Sequence, residues 1–302
     1  MPTNTTYRAE RDVPYCQIDG KTLILNAWLP EGTKAPTAAV VDIHGGWFIG
    51  GGPAGGVPDY IARRQSPNGD GVAFFSIQYR LGGNGGGFPE CIRDCRNAIR
   101  FLRKNAARFH IDPKRIGVQG ESAGGHLSLM VAMVPENFPD GGPIPELKGV
   151  SAKVSGSFSW IPPSDFPRFW DQGPDDVIRQ GDGSITYRPW DDQKYPNDAR
   201  PHLRALFHGV GAETPKQREL YRLMSPIGHV RRDVPPVLIC DGAHDPIVPG
   251  CMGKDLYLAL QRAGSKPAYW VSDGGHSFPG GPGFGKVLDD FWTRCLTLKM
   301  LP

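Results

Sequence analysis

Short apolar runs divide the first third of the chain. The runs AAVVDIHG, GVAFFSIQY and RIGVQG are rich in β-branched and aromatic residues and carry glycine at one end or both. This composition is typical of strands that are buried on both faces of a parallel sheet. Ahead of them, YCQIDGKTLILNAWLP alternates apolar and polar positions around Asp19 and Gly20, which predicts a β-hairpin.

A helical period separates the second of these runs from the third. Residues 89–109 place apolar side chains at positions 91, 95, 98, 99, 102, 106 and 109, which predicts a helix. Cys91 and Cys95 lie one turn apart on this stripe, and we interpret them as small buried hydrophobes. Further on, LKGVSAKVSG, PPVLICDG and PAYWVSD predict strands, and GKDLYLALQRAG and FGKVLDDFWTRCLTL predict helices. Alternating strands and helices indicate an α/β protein with a parallel sheet.

Residues 155–225 break this rhythm. They have no clear period, and a long aperiodic segment in a compact domain is most often a lid or a binding loop. The segment is too aromatic for a disordered linker. Two interpretations remain open, because the rings either contact substrate or only anchor the segment to the body. The candidate substrate-binding residues are Trp160, Phe166, Trp170 and Trp190.

Composition restricts the class of protein. The chain has 302 residues, 39% hydrophobic and 22% charged, and a net charge of +3. This charge is too small to indicate nucleic acid as a partner. No apolar run reaches the length of a membrane span, and the N-terminal residues lack the hydrophobic core of a signal peptide. A cytoplasmic protein is therefore expected, or a secreted one if a leader has been removed. The six cysteines show no metal-binding spacing, so no metal site is predicted.

The sequence QGESAGGHL places Ser122 between Gly120 and Gly124, directly after a predicted strand and before a predicted helix. A serine hydroxyl is a weak nucleophile unless it is exposed beside a base. A sharp strand-to-helix turn flanked by glycines gives this exposure, because the strand and the helix approach without a clash. Ser122 is therefore the candidate nucleophile.

A base and an acid are expected downstream of this serine, in loops that follow strands. His276 follows PAYWVSD in the sequence GGHSF, and Asp245 follows PPVLICDG in HDPIVP. We interpret His276 as the base and Asp245 as the acid, with Asp241 as the alternative acid. His126 and His244 are not expected to act as bases.

The oxyanion formed on attack needs N–H donors. The amide of Ala123, at the start of the predicted helix, is one candidate. A second donor is expected from the loop His44-Gly45-Gly46-Trp47, which follows the strand AAVVDI.

These motifs, together with YRLGG, FHIDPKRIGVQGESAGGHL and SPIGHV, resemble the α/β-hydrolase superfamily. Within it, the chain is similar to esterases of the hormone-sensitive-lipase and BD-FAE (bacterial feruloyl and acetylxylan esterase) type. The resemblance implies one α/β-hydrolase domain over 1–302, with a mostly parallel sheet of about eight strands and helices on both faces. It also implies that Gly46, Trp47 and Ala123 supply the oxyanion amides.

The leading hypothesis is a serine carboxylesterase that needs no cofactor or metal. Acetyl or feruloyl esters of plant carbohydrate fit the resemblance best, so the expected partner is a small-molecule or carbohydrate-linked ester. Two alternatives remain open. The His-Gly-Gly loop also resembles that of arylformamidases, which cleave an N-formyl amide, and a binding protein on a hydrolase scaffold is a different class. The oligomeric state is not predicted.

Overall fold

An eight-stranded sheet forms the centre of the computed structural model, which describes residues 5–63, 71–172, 176–179, 185–188 and 200–297. Its strands are β1 (Tyr7–Ile18), β2 (Lys21–Pro30), β3 (Thr37–Ile43), β4 (Ala73–Ile77), β5 (Ile111–Glu121), β6 (Ser157–Trp160), β9 (Val237–Gly242) and β10 (Ala268–Ser272). Two further strands, β7 (Asp176–Arg179) and β8 (Ile185–Arg188), pair antiparallel to each other outside this sheet. The spatial order is β1-β2-β4-β3-β5-β6-β9-β10, and every pairing from β4 to β10 is parallel.

The predicted hairpin and the predicted parallel sheet are confirmed. β1 and β2 pair antiparallel with Ile18 opposite Lys21, so Asp19 and Gly20 form the two-residue turn. Both turn residues have positive φ, +48° and +72°, as a type I′ hairpin requires.

Helices cover both faces of the sheet. They are α1 (Asp59–Ala62), α2 (Glu90–Lys104), α3 (Ser122–Met133), α4 (Phe166–Gln172), α5 (Arg200–Leu206), α6 (Pro215–Leu223), α7 (Gly250–Arg262) and α8 (Phe284–Thr297), with 3₁₀ turns at Pro145–Leu147 and Pro226–His229. One apolar core contains α2, α3 and α7, and the other contains α1 and α8. Within β3, Val41 belongs to the first core and Val40 to the second, as strand alternation demands. Among the described helices, none combines the length and the apolar character needed to cross a bilayer.

Helix α2 is shorter than its periodicity predicts. It ends at Lys104, where the backbone and side-chain N–H groups of Asn105 both donate to the carbonyl of Phe101. Phe109 stays buried although it lies in the turns that follow, so the apolar stripe continues past the end of the helix. Cys91 and Cys95 are free and buried on α2, as interpreted from the sequence.

The strand predicted at LKGVSAKVSG is wrong, because the sheet strand is β6, four residues that begin only at Ser157. Instead, arginine side chains of α2 donate hydrogen bonds to backbone carbonyls of this segment. Arg100 donates to the carbonyl of Val150, and Arg103 donates to those of Ser151 and Lys153. Trp160 therefore ends a strand of the sheet and does not belong to the aperiodic segment.

The parallel strands end at one edge of the sheet. The last residues of β3, β5, β6, β9 and β10 are Ile43, Glu121, Trp160, Gly242 and Ser272. The loops after the carboxyl ends of parallel strands carry the binding sites of open α/β sheets. This edge is therefore where a site is expected.

Candidate active site

Ser122 occupies a strained turn between β5 and α3. Its φ is +51°, in the left-handed region that side-chain-bearing residues seldom adopt. The flanking glycines make the turn sterically possible. A Cβ at Gly120 would lie 2.4 Å from the carbonyl oxygen of Gly124, and a Cβ at Gly124 would lie 1.9 Å from that of Ile43. The spacing that singles out Ser122 in the sequence therefore serves a close approach of α3 to β3 and β5.

His276 and Asp245 are in direct contact. His276 Nδ1 lies 2.8 Å from Asp245 Oδ2, and the Asp245 side chain is almost fully buried. Asp245 Oδ1 accepts hydrogen bonds from the amides of Ile247 (2.8 Å) and Val248 (3.0 Å). These bonds hold the carboxylate in one orientation toward the imidazole ring of His276. The His276 side chain is 19% exposed.

Asp241, the alternative acid, has a different partner. The hydroxyl of Tyr269 donates to its Oδ2 at 2.7 Å. Both carboxyl oxygens lie so close to Gly253 that a Cβ atom added there would be 2.3 Å from each of them. Burial raises the pKa of Asp241 well above its usual range. Of the two carboxyl groups, the one in contact with His276 is therefore Asp245.

The loop after β3 has an unusual backbone. Gly46, Trp47 and Phe48 have φ values of +105°, +55° and +62°. Such conformations cost about 1–3 kcal/mol for a residue with a side chain and cluster at functional sites. The carbonyl of Gly46 accepts from the amides of Ile49 and Gly50, which closes the turn. Within the described ranges, the N–H groups of Gly46 and Trp47 have no acceptor, so they are available to an oxyanion.

A small apolar pocket opens beside Ser122. Trp47 forms one wall, where its ring stacks on Phe169 and on His202 at centroid distances of 5.9 and 5.2 Å. The lining residues are Trp47, Phe48, Ser122, Ala123, Pro163, Phe166, Phe169, His202, Leu203, Leu206 and Val248. We call this the apolar pocket.

A second cavity, of about 500 Å³, lies at the ends of β3, β5 and β6. Asp42 Oδ1 accepts from Gln119 Nε2 (3.0 Å), and Asp42 Oδ2 accepts from Ser76 Oγ (3.1 Å). Burial raises the pKa of Asp42 to about 6 in spite of these hydrogen bonds. The lining residues are Asp42, Ile43, His44, Gly52, Ala54, Pro58, Tyr60, Gln119, Glu121, Trp160 and Phe278. We call this the Asp42 cavity.

The four candidate substrate-binding residues fall in different places. Phe166 lines the apolar pocket, and Trp160 lines the Asp42 cavity. Trp170 lines neither of the two; its ring packs edge-on against Tyr221, and the Arg204 guanidinium lies over it. Trp190 lies outside the described residues.

Sequence reasoning missed most of the lining residues. Asp42 lies two residues before His44 of the His-Gly-Gly loop, and Phe278 follows His276 by two residues, so their position at strand ends was a usable signal. His202, Leu203 and Leu206 come from the aperiodic segment on α5, where no sequence pattern marks them.

His126, four residues after Ser122, is a core residue. His126 is fully buried on α3, and its ring contacts Phe48, Phe88 and Phe166. Its Nδ1 lies 2.9 Å from the carbonyl oxygen of Pro163. Burial lowers the pKa of His126 to about 3, so the ring is neutral at physiological pH.

The sheet order, the strand-to-helix turn at Ser122 and the loops after the parallel strands define an α/β-hydrolase fold. The BD-FAE family model matches residues 25–260, and the chain belongs to that family. Two solved structures share the fold. A "truncated form of carbohydrate esterase from gut microbiota" is 25% identical with a TM-score of 0.71, covering 98% of this chain and 99% of its own. The esterase Est2 of Thermogutta terrifontis is 24% identical with a TM-score of 0.64, covering 95% and 91%.

Several curated relatives are named as esterases. Esterase LipC of Mycobacterium tuberculosis is 27% identical over 264 residues, which is 86% of this chain and 58% of LipC. Carboxylesterase NlhH of the same organism is 35% identical over 136 residues, which is 44% of this chain and 40% of NlhH. The chain thus matches only about half the length of these relatives.

Proposed function

We propose that this protein is a serine carboxylesterase, with Ser122 as nucleophile, His276 as base and Asp245 as the acid that orients the base. The observation that carries the proposal is the 2.8 Å contact between His276 Nδ1 and Asp245 Oδ2, combined with the strained turn that exposes Ser122. A nucleophile, a base and an orienting carboxylate in this chain order form the constellation of the fold's hydrolases.

The first half of the reaction forms an acyl-enzyme. Ser122 Oγ attacks the ester carbonyl carbon while His276 Nε2 takes the hydroxyl proton, and Asp245 stabilises the resulting imidazolium. The carbonyl oxygen becomes an oxyanion, to which the amides of Ala123, Gly46 and Trp47 donate. Removal of one such donor typically costs about 10²–10³ in rate.

The second half separates the two products. The tetrahedral intermediate breaks its bond to the alcohol oxygen, which takes the proton from His276, and the alcohol leaves. Water then attacks the acyl-enzyme carbonyl while His276 Nε2 takes a proton from it. The second tetrahedral intermediate breaks its bond to Ser122 Oγ, which takes that proton back from His276, and the carboxylic acid leaves. Because His276 protonates the alcohol, the alcohol part of the substrate lies on the His276 side of Ser122. Phe278, two residues after His276, lines the Asp42 cavity, so we assign that cavity to the alcohol and the apolar pocket to the acyl group.

The substrate class we propose is acetyl or feruloyl esters of plant carbohydrate. Membership of the BD-FAE family supports this, as does the likeness to a structure described as a carbohydrate esterase. The apolar, aromatic lining of the pocket beside Ser122 suits an acetyl or aromatic acyl group. We further infer that the segment after β6, predicted from the sequence as 155–225, covers the site within a single domain, since its helices α4 and α5 contribute to the same pocket.

A fluorophosphonate probe tests the proposal, because it labels only an activated serine. We expect one label per chain, on the peptide that contains Ser122, and loss of p-nitrophenyl acetate hydrolysis in step with labelling. A chain that hydrolyses the ester while Ser122 stays unlabelled contradicts the assignment.

A substrate panel then narrows the class. Methyl ferulate, an acetylated sugar and an N-formyl aryl amide separate feruloyl esterase, acetyl esterase and arylformamidase activity. Higher kcat/KM on the amide than on every ester would overturn the ester proposal.

A further inference from the structure

The apolar pocket leaves room for one small group beside Ser122. The centre of a water molecule can reach about 10 Å³ of it, against about 500 Å³ of the Asp42 cavity. A site needs about 10–15 Å³ of such space to hold a single water molecule. A methyl group is only slightly larger than a water molecule, and it is apolar, as most of the lining is. The pocket therefore has the size and the character for the methyl group of an acetyl ester.

A second layer of rings supports two of the pocket's aromatic walls. Phe48 and Phe166 line the pocket, and both are buried, with ring centroids 6.1 Å apart. The ring of Phe166 also contacts His126 at 4.7 Å and Phe207 at 5.8 Å, and Phe48 meets Phe88 edge-on at 5.4 Å. Close-packed side chains of this kind resist added volume. A longer acyl group therefore gains little space by moving Phe48 or Phe166.

The Trp47 wall belongs to the same residue as a proposed oxyanion donor. Its ring stacks on Phe169 and on His202, and its own amide is one of the three N–H groups that we assign to the oxyanion. Such a donor is effective when it lies about 2.7–3.1 Å from the oxyanion. A large acyl group that pushed the Trp47 ring outward would also shift this amide. Space gained at this wall would therefore reduce the rate of the chemical step.

Leu203 and Leu206 form the α5 side of the pocket. They are three positions apart, so they lie on the same face of the helix, and both are buried. The carbonyl of Leu206 accepts a hydrogen bond from the amide of Phe88 at 2.9 Å. Because this bond joins the end of α5 to the chain just before α2, it holds the two leucines against the pocket.

We propose that the apolar pocket is an acyl site selective for the acetyl group, and that Leu203 and Leu206 set its upper size limit. This inference rests on the proposed esterase function and deepens it, because it chooses acetyl over feruloyl esters. It places no restriction on the alcohol, which can be a carbohydrate. A methyl group fits the space beside Ser122, whereas a feruloyl group brings a substituted aromatic ring that must displace a wall.

A series of esters with one leaving group tests the selection. The p-nitrophenyl esters of acetic, propionic, butyric and ferulic acid differ only in the acyl group. Dividing each kcat/KM by the rate constant of the same ester with hydroxide removes differences in intrinsic reactivity. One methylene group changes kcat/KM by about 10–200-fold in a fitted apolar pocket. We therefore expect the corrected kcat/KM to fall at least about tenfold from acetate to butyrate, and about 100-fold or more from acetate to ferulate.

Two variants of Leu203 locate the selection in the pocket. Leu203→Val and Leu203→Ala enlarge the pocket in two steps, and the milder change keeps the test available if the alanine variant does not fold. We expect the butyrate-to-acetate ratio of kcat/KM to rise by about threefold in Leu203→Val and by about tenfold or more in Leu203→Ala. Leu288→Ala is the matched control, because this buried leucine of α8 belongs to the other core. It should keep the wild-type ratio.

The outcomes separate this inference from the proposed function. Corrected kcat/KM values that are equal for acetate, butyrate and ferulate overturn the inference alone, because the acyl group would then lie outside the apolar pocket. An acetate preference that folded Leu203 variants leave intact has the same consequence. A chain that hydrolyses none of the four esters overturns the proposed function with it.

Discussion

The apolar pocket, which Ser122 lines, and the Asp42 cavity, which the preceding residue Glu121 lines, are built in different ways. The Asp42 cavity is lined largely by residues at or near strand ends, such as Asp42, Gln119 and Trp160. The apolar pocket takes its outer wall from α4 and α5, where Phe169 and Leu203 lie in an aperiodic segment. The sheet therefore fixes the position of the Asp42 cavity, whereas the shape of the apolar pocket depends on how an irregular segment packs.

The largest expected effect comes from removing the proposed nucleophile, which lines the apolar pocket. Ser122→Ala should lower kcat/KM by about 10⁴–10⁶ for every ester, because without the nucleophile only binding and oxyanion stabilisation remain. The measurement is steady-state hydrolysis of an acetyl and a feruloyl ester. Ser265→Ala, on the turn after α7, is the control and should retain wild-type rates. A Ser122→Ala variant with a tenth of wild-type activity would contradict the role of this serine.

The next prediction compares the two carboxyl groups near His276. Asp245→Asn should lower kcat by about 10⁴, because the amide no longer holds the imidazole in the required tautomer. Asp241→Asn should lower kcat by less than about tenfold, since Asp241 contacts Tyr269 and not His276. Both variants are isosteric, so circular dichroism should report the same fold. The reverse ranking would assign the acid role to Asp241.

His126 is buried in the core beneath the apolar pocket, and its titration should make the free energy of unfolding depend on pH. Above pH 6.5 the ring is neutral in the folded and unfolded states and makes no contribution to the pH dependence. Between that value and the folded-state pKa of about 3, the unfolded chain binds a proton and the folded chain does not. Stability therefore falls as the pH falls, by about 1.4 kcal/mol per unit, or roughly 2 kcal/mol between pH 6.5 and 5.

His126→Phe removes this titration. The loss of its contact with the Pro163 carbonyl lowers stability at every pH, so the slope of unfolding free energy against pH is the quantity to compare. Urea titrations at four or five pH values measure it. An unchanged slope in His126→Phe would mean that His126 is protonated in the folded protein.

The smallest expected effect is on the preference between alcohols, which should depend on Trp160 and not on Trp170. Trp160→Phe should change the preference between a bulky and a small alcohol by about fivefold, roughly 1 kcal/mol, because Trp160 lines the Asp42 cavity. Trp170→Phe is the matched control and should leave that preference within about twofold, because Trp170 packs on Tyr221. Competition between two acetate esters in one reaction measures the preference directly. Equal shifts in both variants would indicate that the rings act only through stability.

Much of the fold could be predicted from local pattern. Apolar runs and helical stripes give the sheet because burial on both faces requires continuous apolar strands. The apolar pattern wrongly predicts a strand at LKGVSAKVSG. There, Arg100 and Arg103 of α2 donate hydrogen bonds to backbone carbonyls that would pair with a neighbouring strand. That competition involves residues about 50 positions apart, which no local window contains.

The sequence by itself determined where chemistry could occur. The glycine spacing around Ser122 and the position of His276 after a strand follow from steric and topological rules that are local to each motif. Only the tertiary structure decided which carboxyl group meets His276, because Asp241 and Asp245 both follow the same strand and differ in where their side chains are held. Only the tertiary structure also divided the aromatic residues among the apolar pocket, the Asp42 cavity and the core. Side-chain packing between distant segments makes that division, and a linear pattern does not record it.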